Sequence, residues 1–338
     1  MRRGLYTDVM ATKPFPILFI TATRIGDAVL ASGLIRRLVD EIPNARFTIA
    51  AGPLAAPLFA DVPGLDRIIV MEKEKSGRHW LRLWRQVRGR QWGLVVDLRG
   101  SAIARFLRSK RRAIKHKTVG EPVHKVIEAA RVLKVEDEPP APFLFTSEET
   151  EIRARELMKG RGPIIAMGPA ANWIGKAWPI ERFARTAMEL LEPTGILAGA
   201  RLAIFGGPDD RLYVEELRKA VPGERCIDLT GKIDLLTAYA CLKHVRLFIG
   251  NDSGLMHLAA AAGAPTIGLF GPSDERLYGP YGEDTRVVRG PRPFEQFVTL
   301  DPQLNQAISH MTDLPVSQVV AAARELLEAT EEKEALDA

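Results

Sequence analysis

The chain has 338 residues, 46% of them hydrophobic, and a formal net charge of +5. At roughly 150 residues per domain this length predicts two domains, and the hydrophobic content excludes a disordered chain. Two cysteines, Cys226 and Cys241, are too few for a disulfide framework and too far apart for a Cys-x-x-Cys site, so a reducing, cytoplasmic compartment is expected.

The first apolar run, Phe15-Pro16-Ile17-Leu18-Phe19-Ile20, is ended early by Arg24 and Asp27, and no small-residue cleavage site follows. No stretch approaches the roughly 20 apolar residues of a membrane-spanning helix, so any membrane contact is expected to be peripheral. Charge is uneven: residues 1–150 hold 26 Lys+Arg against 16 Asp+Glu, a surplus of +10, and the remainder carries −5. Between Arg78 and Lys117 stand 13 basic side chains and one acid, Asp97. That pattern implies a polyanion, an anionic lipid surface or an acidic substrate.

In chain order, β-branched apolar runs alternate with helical patterns. Residues 17–22 read as a strand, 28–39 as one helix, 47–50 and 68–71 as strands, 80–87 as a helix and 94–97 as a strand. This is the alternation of parallel βαβ units. Glu136-Asp137-Glu138-Pro139-Pro140-Ala141-Pro142 cannot continue a helix and marks the domain boundary. The pattern then restarts, with strands at 164–167, 201–205, 247–249 and 266–270. A polar helix with Val319, Val320, Ala323, Leu326 and Leu327 on one face ends the chain and suits either domain. The expectation is an N-terminal domain over 1–145, a C-terminal domain over 146–315 and a terminal helix over 316–338, with ligands at strand carboxyl ends in a cleft between two doubly wound sheets.

Polar motifs follow the strands as that architecture requires. Thr23-Arg24-Ile25-Gly26-Asp27 is a strand-to-helix turn whose carboxylate serves either as a cleft-facing base or as a cap for the first helical turn. It holds no G-x-G-x-x-G, which disfavours a dinucleotide site. Gly168 ends a strand, and Lys176-Ala177-Trp178-Pro179 precedes the next helix; Lys176 is either a phosphate ligand or a solvated loop lysine. Gly206-Gly207-Pro208-Asp209-Asp210 lets a ligand approach the backbone, while either aspartate also suits a helix cap. The strongest local signal is the strand–turn–helix Leu247 to Ala261, where Asp252-Ser253-Gly254 opens a small-residue helix whose free N–H groups favour an anion. His257 there is either a donor to that anion or a core histidine.

Taken in order, these motifs resemble the heptosyltransferase family of inverting glycosyltransferases with the GT-B fold, two Rossmann-like domains facing a central cleft. The family's Gly-Asp is similar to Gly26-Asp27, its Lys-x-Trp-Pro to Lys176 to Pro179, its Gly-Gly-Pro to Gly206 to Pro208 and its Leu-Thr-Gly to Leu229-Thr230-Gly231. Its Asp-Thr/Ser-Gly-x-x-His is similar to Asp252 to His257, and its Gly-Pro-Thr/Ser-Asp to Gly271 to Asp274. Ser253 stands where threonine is frequent and Leu255 where proline is common.

The resemblance implies heptose transfer from ADP-heptose to the lipopolysaccharide inner core, on a Kdo-lipid A type acceptor, with no cofactor and no essential metal. Asp27 would be the general base and Lys176 the catalytic cation. Gly168, Gly206, Gly207, Thr230, Gly231, Asp252, Ser253, Gly254 and His257 would bind the donor, and Arg24, Arg78, Arg82 and Lys115 the anionic lipid-linked acceptor at the inner face of the cytoplasmic membrane. Arg78, Arg82, Arg85 and Arg88, spaced with Trp80 and Trp84, fit either lipid headgroups or a solvated helix face with buried tryptophans. Lys110-Arg111-Arg112 and Lys115-His116-Lys117 are further acceptor candidates. The alternatives are a transferase with another nucleotide-sugar or acceptor, and a nucleic-acid or polyanion-binding protein. The latter leaves Lys176 and the Asp252–His257 turn without a role, so no nucleic-acid partner is expected.

Overall fold

A computed structural model describes residues 13–116, 120–303 and 307–337, so Lys117 of the basic cluster lies outside the described residues. The chain divides into two compact units, Met1–Ser147 and Glu148–Ala338, each built on its own parallel sheet.

The first unit runs β1 (Phe15–Ile20), α1 (Ile25–Leu30), α2 (Gly33–Glu41), β2 (Ala45–Ala51), β3 (Leu65–Val70), α3 (Arg78–Val87), β4 (Trp92–Asp97), α4 (Ile103–Phe106), β5 (Ser109–Ile114) and α5 (Lys125–Leu133). Its five strands are ordered β3-β2-β1-β4-β5, all parallel. Ile17 to Ile20 and Leu94 to Val96 are at most 1% exposed, because helices cover both faces of a parallel sheet and leave its central strands no polar side.

The single helix expected over 28–39 is two helices. Ser32 donates its hydroxyl to the Val29 carbonyl at 2.6 Å and accepts the Phe143 amide at 2.9 Å. A Cβ on Gly33 would lie 2.3 Å from the Ala141 carbonyl oxygen. The proline-rich connector therefore lies against the break, and only a residue without a side chain lets it come that close. Also unforeseen is β5, whose Ser109-Lys110-Arg111-Arg112 start reads as a charged surface run. As an edge strand it carries the lysine and arginines that keep such an edge from pairing with another chain.

The second unit runs α6 (Glu148–Met158), β6 (Ile164–Gly168), α7 (Ile180–Leu191), β7 (Arg201–Ile204), α8 (Glu215–Arg218), β8 (Cys226–Asp228), α9 (Leu235–Leu242), β9 (Leu247–Asn251), α10 (Gly254–Ala261), β10 (Thr266–Phe270), α11 (Glu275–Tyr278), β11 (Thr285–Arg289), α12 (Phe294–Leu300) and α13 (Val316–Asp337). The sheet order is β11-β10-β9-β6-β7-β8, again parallel throughout. The terminal helix packs here: Val319, Ala323, Leu326 and Leu327 join the core formed with α7 and the central strands. Edge strands β8 and β11 are short or half-exposed, which is why no continuous apolar run announces them.

Candidate active site

Both sheets turn at one place. In the second, β6 and β9 lie side by side while the chain proceeds outward through β7 and β8 on one flank and β10 and β11 on the other. The loops leaving β6 and β9 part in opposite directions, which opens a crevice at their carboxyl ends, the usual place for a ligand on an open α/β sheet.

Lys176 and Asp252 lie in the loops that leave these two strands. Lys176 closes a 3-10 turn, Ile174–Lys176, in the loop from β6 to α7, and its Nζ donates to Asp252 Oδ2 at 2.5 Å. Their side chains are 26% and 6% exposed. The ammonium thus keeps access to a ligand while the carboxylate is nearly out of water. The Asp252 amide donates to the Leu269 carbonyl at 3.2 Å, fixing the turn to β10.

Ser253 is the N-cap of α10, in extended backbone, yet its hydroxyl does not cap its own helix. The Ser253 Oγ is buried with no hydrogen-bond partner among the described residues. Gly254 opens the eight-residue helix, whose first N–H groups and partial positive charge suit an anion. His257 sits in the first turn, 3% exposed, on the buried side of the helix.

On the other flank, two glycine loops lock together. The Gly207 amide donates to Asp210 Oδ2 at 2.7 Å, so Asp210 serves its turn, and the Gly231 amide donates to the Gly206 carbonyl at 3.0 Å. Gly231 has φ +63°, and a Cβ there would fall 2.6 Å from the Pro208 Cα. Thr230 is 1% exposed, with its hydroxyl beside the Asp228 carboxylate. Beside it, burial alone would raise the Asp228 carboxyl, but the Lys232 ammonium and the Thr230 amide hold it below the ordinary carboxylate range. Gly168 ends β6 itself. All nine donor-site candidates therefore share the carboxyl edge of one sheet.

Several residues that frame this site carry no motif. Asn251, 0% exposed, accepts the Trp178 amide on Oδ1 at 3.1 Å and donates Nδ2 to the Pro169 carbonyl at 2.5 Å. The segment 307–314 backs the lysine loop: the His310 amide donates to the Gly175 carbonyl, Ser309 Oγ to the Ala177 carbonyl and Trp178 Nε1 to the Leu314 carbonyl, at 3.1, 2.7 and 3.0 Å. Arg289, at the end of β11, donates to the Gly271 and Ser273 carbonyls and to Glu275, pinning the loop after β10. A single Asn-Asp at a strand end is the hint of Asn251 that the sequence offers.

In the first unit the switch point lies between β1 and β4. Asp27 stands in the first turn of α1, half-buried, with Arg24 as the exposed N-cap residue. Asp97, the one acid of the basic stretch, ends β4 completely buried. Its Oδ1 accepts the Arg99 amide at 2.9 Å, and its Oδ2 accepts the Ser101 amide and hydroxyl at 2.7 and 2.5 Å. Asp97 is spent on shaping its own loop.

The proposed acceptor cations are in different states. Arg82 pairs with Glu74 at 2.8 Å, and Lys115 with Glu128 at 3.2 Å. Burial pushes the Glu128 carboxyl up, and Lys125 and Lys115 together bring it below its ordinary value. Arg24 and Arg78 are exposed and have no carboxylate partner among the described residues. Trp80 and Trp84 pack against the first unit's core, with the Arg99 guanidinium 4.9 Å over the former ring and Arg88 4.8 Å over the latter. Of the two readings of α3, its tryptophans follow the inward one. No helix among the described residues is long and apolar enough to cross a membrane, and no three His, Cys, Asp or Glu among them cluster as metal ligands.

The glycosyltransferase family 9 (heptosyltransferase) pattern matches residues 100–303. Lipooligosaccharide heptosyltransferase 2 of Haemophilus influenzae is 27% identical over 312 residues, covering 81% of this chain and 88% of that protein. Among solved structures, a glycosyl transferase family 9 protein from Veillonella parvula superposes with TM-score 0.76 at 21% identity, covering 95% of this chain and all of that one. The E. coli ADP-heptose lps heptosyltransferase II superposes with TM-score 0.72 at 22% identity, covering 94% and 100%. These two likenesses show the fold, a pair of parallel-sheet domains of the GT-B kind.

Proposed function

The chain belongs to glycosyltransferase family 9, the heptosyltransferases, and from that membership we propose that it transfers heptose from ADP-heptose to the inner core of lipopolysaccharide, on an acceptor of the Kdo-lipid A type. The observation that carries the donor half is the Lys176–Asp252 pair at the β6/β9 switch point, beside the N-terminus of α10. A partly exposed ammonium and a helix N-terminus at one strand edge are what a diphosphate requires. The name of the E. coli neighbour, an ADP-heptose enzyme, agrees with this donor.

The reaction is a single inverting displacement. The acceptor hydroxyl oxygen attacks the anomeric carbon, the bond from that carbon to the diphosphate oxygen breaks, and ADP leaves with the electron pair. Asp27 takes the hydroxyl proton, a contribution of roughly 10² to 10⁴ in rate for a well-placed base. Lys176 and the Ser253 and Gly254 backbone amides meet the charge building on the leaving diphosphate, and Thr230 and Ser253 offer hydroxyls to the donor. With that positive charge supplied by the protein, the transfer proceeds without a divalent ion. Arg24 and Arg78 meet the acceptor's phosphates and carboxylates, and Arg82 and Lys115 do so by exchanging their present carboxylate partners.

The test is transfer from ADP-heptose to deacylated Kdo-bearing lipid A in EDTA, comparing the parent with Asp27→Asn and Lys176→Ala. Turnover should survive EDTA and fall by about 10² or more in Asp27→Asn. A parent that binds ADP and transfers no heptose refutes the donor–acceptor assignment, and turnover abolished by EDTA refutes the metal-free mechanism.

A further inference from the structure

Lys176 lies in a ten-residue stretch between Pro169 and Trp178 that contains one 3-10 turn and no other regular element. A flexible lysine on such a loop reaches a phosphate only if the loop itself is held. The Asp252 carboxylate holds the ammonium, but a diphosphate at the same ammonium competes with that contact. Of the contacts that a ligand there leaves untouched, those from residues 307–314 hold Gly175, Ala177 and Trp178, and those of Asn251 reach both the start and the end of the loop.

We propose that Asn251 is a positioning residue whose buried carboxamide sets Lys176 at the phosphate site by tying both ends of its loop to the end of β9. This rests on the reading of Lys176 as a phosphate ligand. Oδ1 takes the amide at the far end of the loop, Trp178, and Nδ2 gives to the carbonyl at its start, Pro169. One end needs an acceptor and the other a donor, at a side chain that is 0% exposed. A carboxamide supplies both; an aspartate at neutral pH would turn a second acceptor on the Pro169 carbonyl, and an alanine would leave two buried groups unpaired.

Calorimetric titration with ADP, run on the parent, Asn251→Asp, Asn251→Ala and each of these combined with Lys176→Ala, tests this. At pH 8, Asn251→Asp should bind ADP roughly ten- to hundredfold more weakly than the parent, the scale of a buried group left unpaired. Relative to the parent at each pH, the loss should shrink toward pH 6, because a buried carboxyl facing a carbonyl takes up a proton and then donates as Nδ2 did. Referring each value to the parent removes the titration of ADP and of the neighbouring groups Asp252, Lys176 and His257. Asn251→Ala should stay weak at both pH values. In the Lys176→Ala background neither substitution should weaken ADP further, since the effect passes through the missing ammonium.

Losses that add to that of Lys176→Ala, or an Asn251→Asp protein that binds as the parent does, overturn the proposal and leave Asn251 a packing residue. A parent that binds no ADP overturns the phosphate-site reading and this proposal with it. Should Asn251→Asp fail to fold, Asn251→Ser takes its place, and its additivity with Lys176→Ala decides.

Discussion

Removing either half of the Lys176–Asp252 pair should destabilise the second unit unequally. At an effective dielectric near 20, opposite charges about 4 Å apart attract by about 4 kcal/mol, and much of this is offset by the cost of taking them out of water. The two side chains differ in what they do once alone. Asp252, 6% exposed and fixed through its backbone to β10, cannot reach solvent, so Lys176→Ala strands a buried carboxylate, at a cost of about 3–5 kcal/mol. Lys176, 26% exposed on a flexible stem, can swing its ammonium into water, so Asp252→Asn costs only about 1–2 kcal/mol. For a unit of 150–250 residues, at roughly 2–4 °C per kcal/mol, the melting temperature drops by about 10 °C in Lys176→Ala and by about 4 °C in Asp252→Asn. Calorimetric melting of the unliganded proteins reads this directly. Equal drops, or a larger drop in Asp252→Asn, would refute the argument that differential access to water controls the pair.

Gly231→Ala should cost at least about 1–3 kcal/mol, because it forces an L-residue to φ +63° and brings its Cβ within 2.6 Å of the Pro208 Cα; urea unfolding measures it, and an unchanged midpoint would mean the two glycine loops separate easily. Trp84→Ala should cost about 1.5–2.5 kcal/mol, half the loss for a fully buried aromatic, since the ring is partly buried against the first unit's core; a loss under about 0.5 kcal/mol would restore it as a surface anchor. The Asp228 carboxyl is held below its unfolded value, so its contribution to stability is fully present above the unfolded pKa and is lost as pH falls through the folded one. Asp228→Asn should therefore lower stability at pH 7 and have progressively less effect below about pH 4, near the ordinary aspartate pKa, as followed by urea midpoints; a constant difference across that range would refute the assignment.

The sheet strands that are buried on both faces were legible as apolar runs, and the motifs after them fell at strand carboxyl ends because a parallel α/β chain turns into a helix there. Of the edge strands, β3 was read at 68–71 while β5, β8 and β11 escaped: β5 begins Ser109-Lys110-Arg111-Arg112 because its outer side must discourage pairing, and this removes the hydrophobic signature by which a strand is read. The break between α1 and α2 escaped for a different reason. Helical periodicity runs through Ala31, Ser32 and Gly33, and only the connector packed against Gly33 makes the interruption favourable.

The same division holds at the site. Local sequence marked Asp27, Lys176 and the Asp252–His257 turn as candidates, each with a structural alternative beside it, because residue type and spacing within one loop show where an anion-binding helix start or a strand-end lysine can lie. It could not say that Lys176 meets Asp252 across 76 positions of chain, that Asn251 binds both ends of the lysine loop, or that Arg82 and Lys115 already hold carboxylates. What a residue can do chemically is a property of its side chain and its immediate neighbours, and a sequence states it. Which partner it finds depends on distances set by sheet order and by burial, and these exist only once the chain has folded.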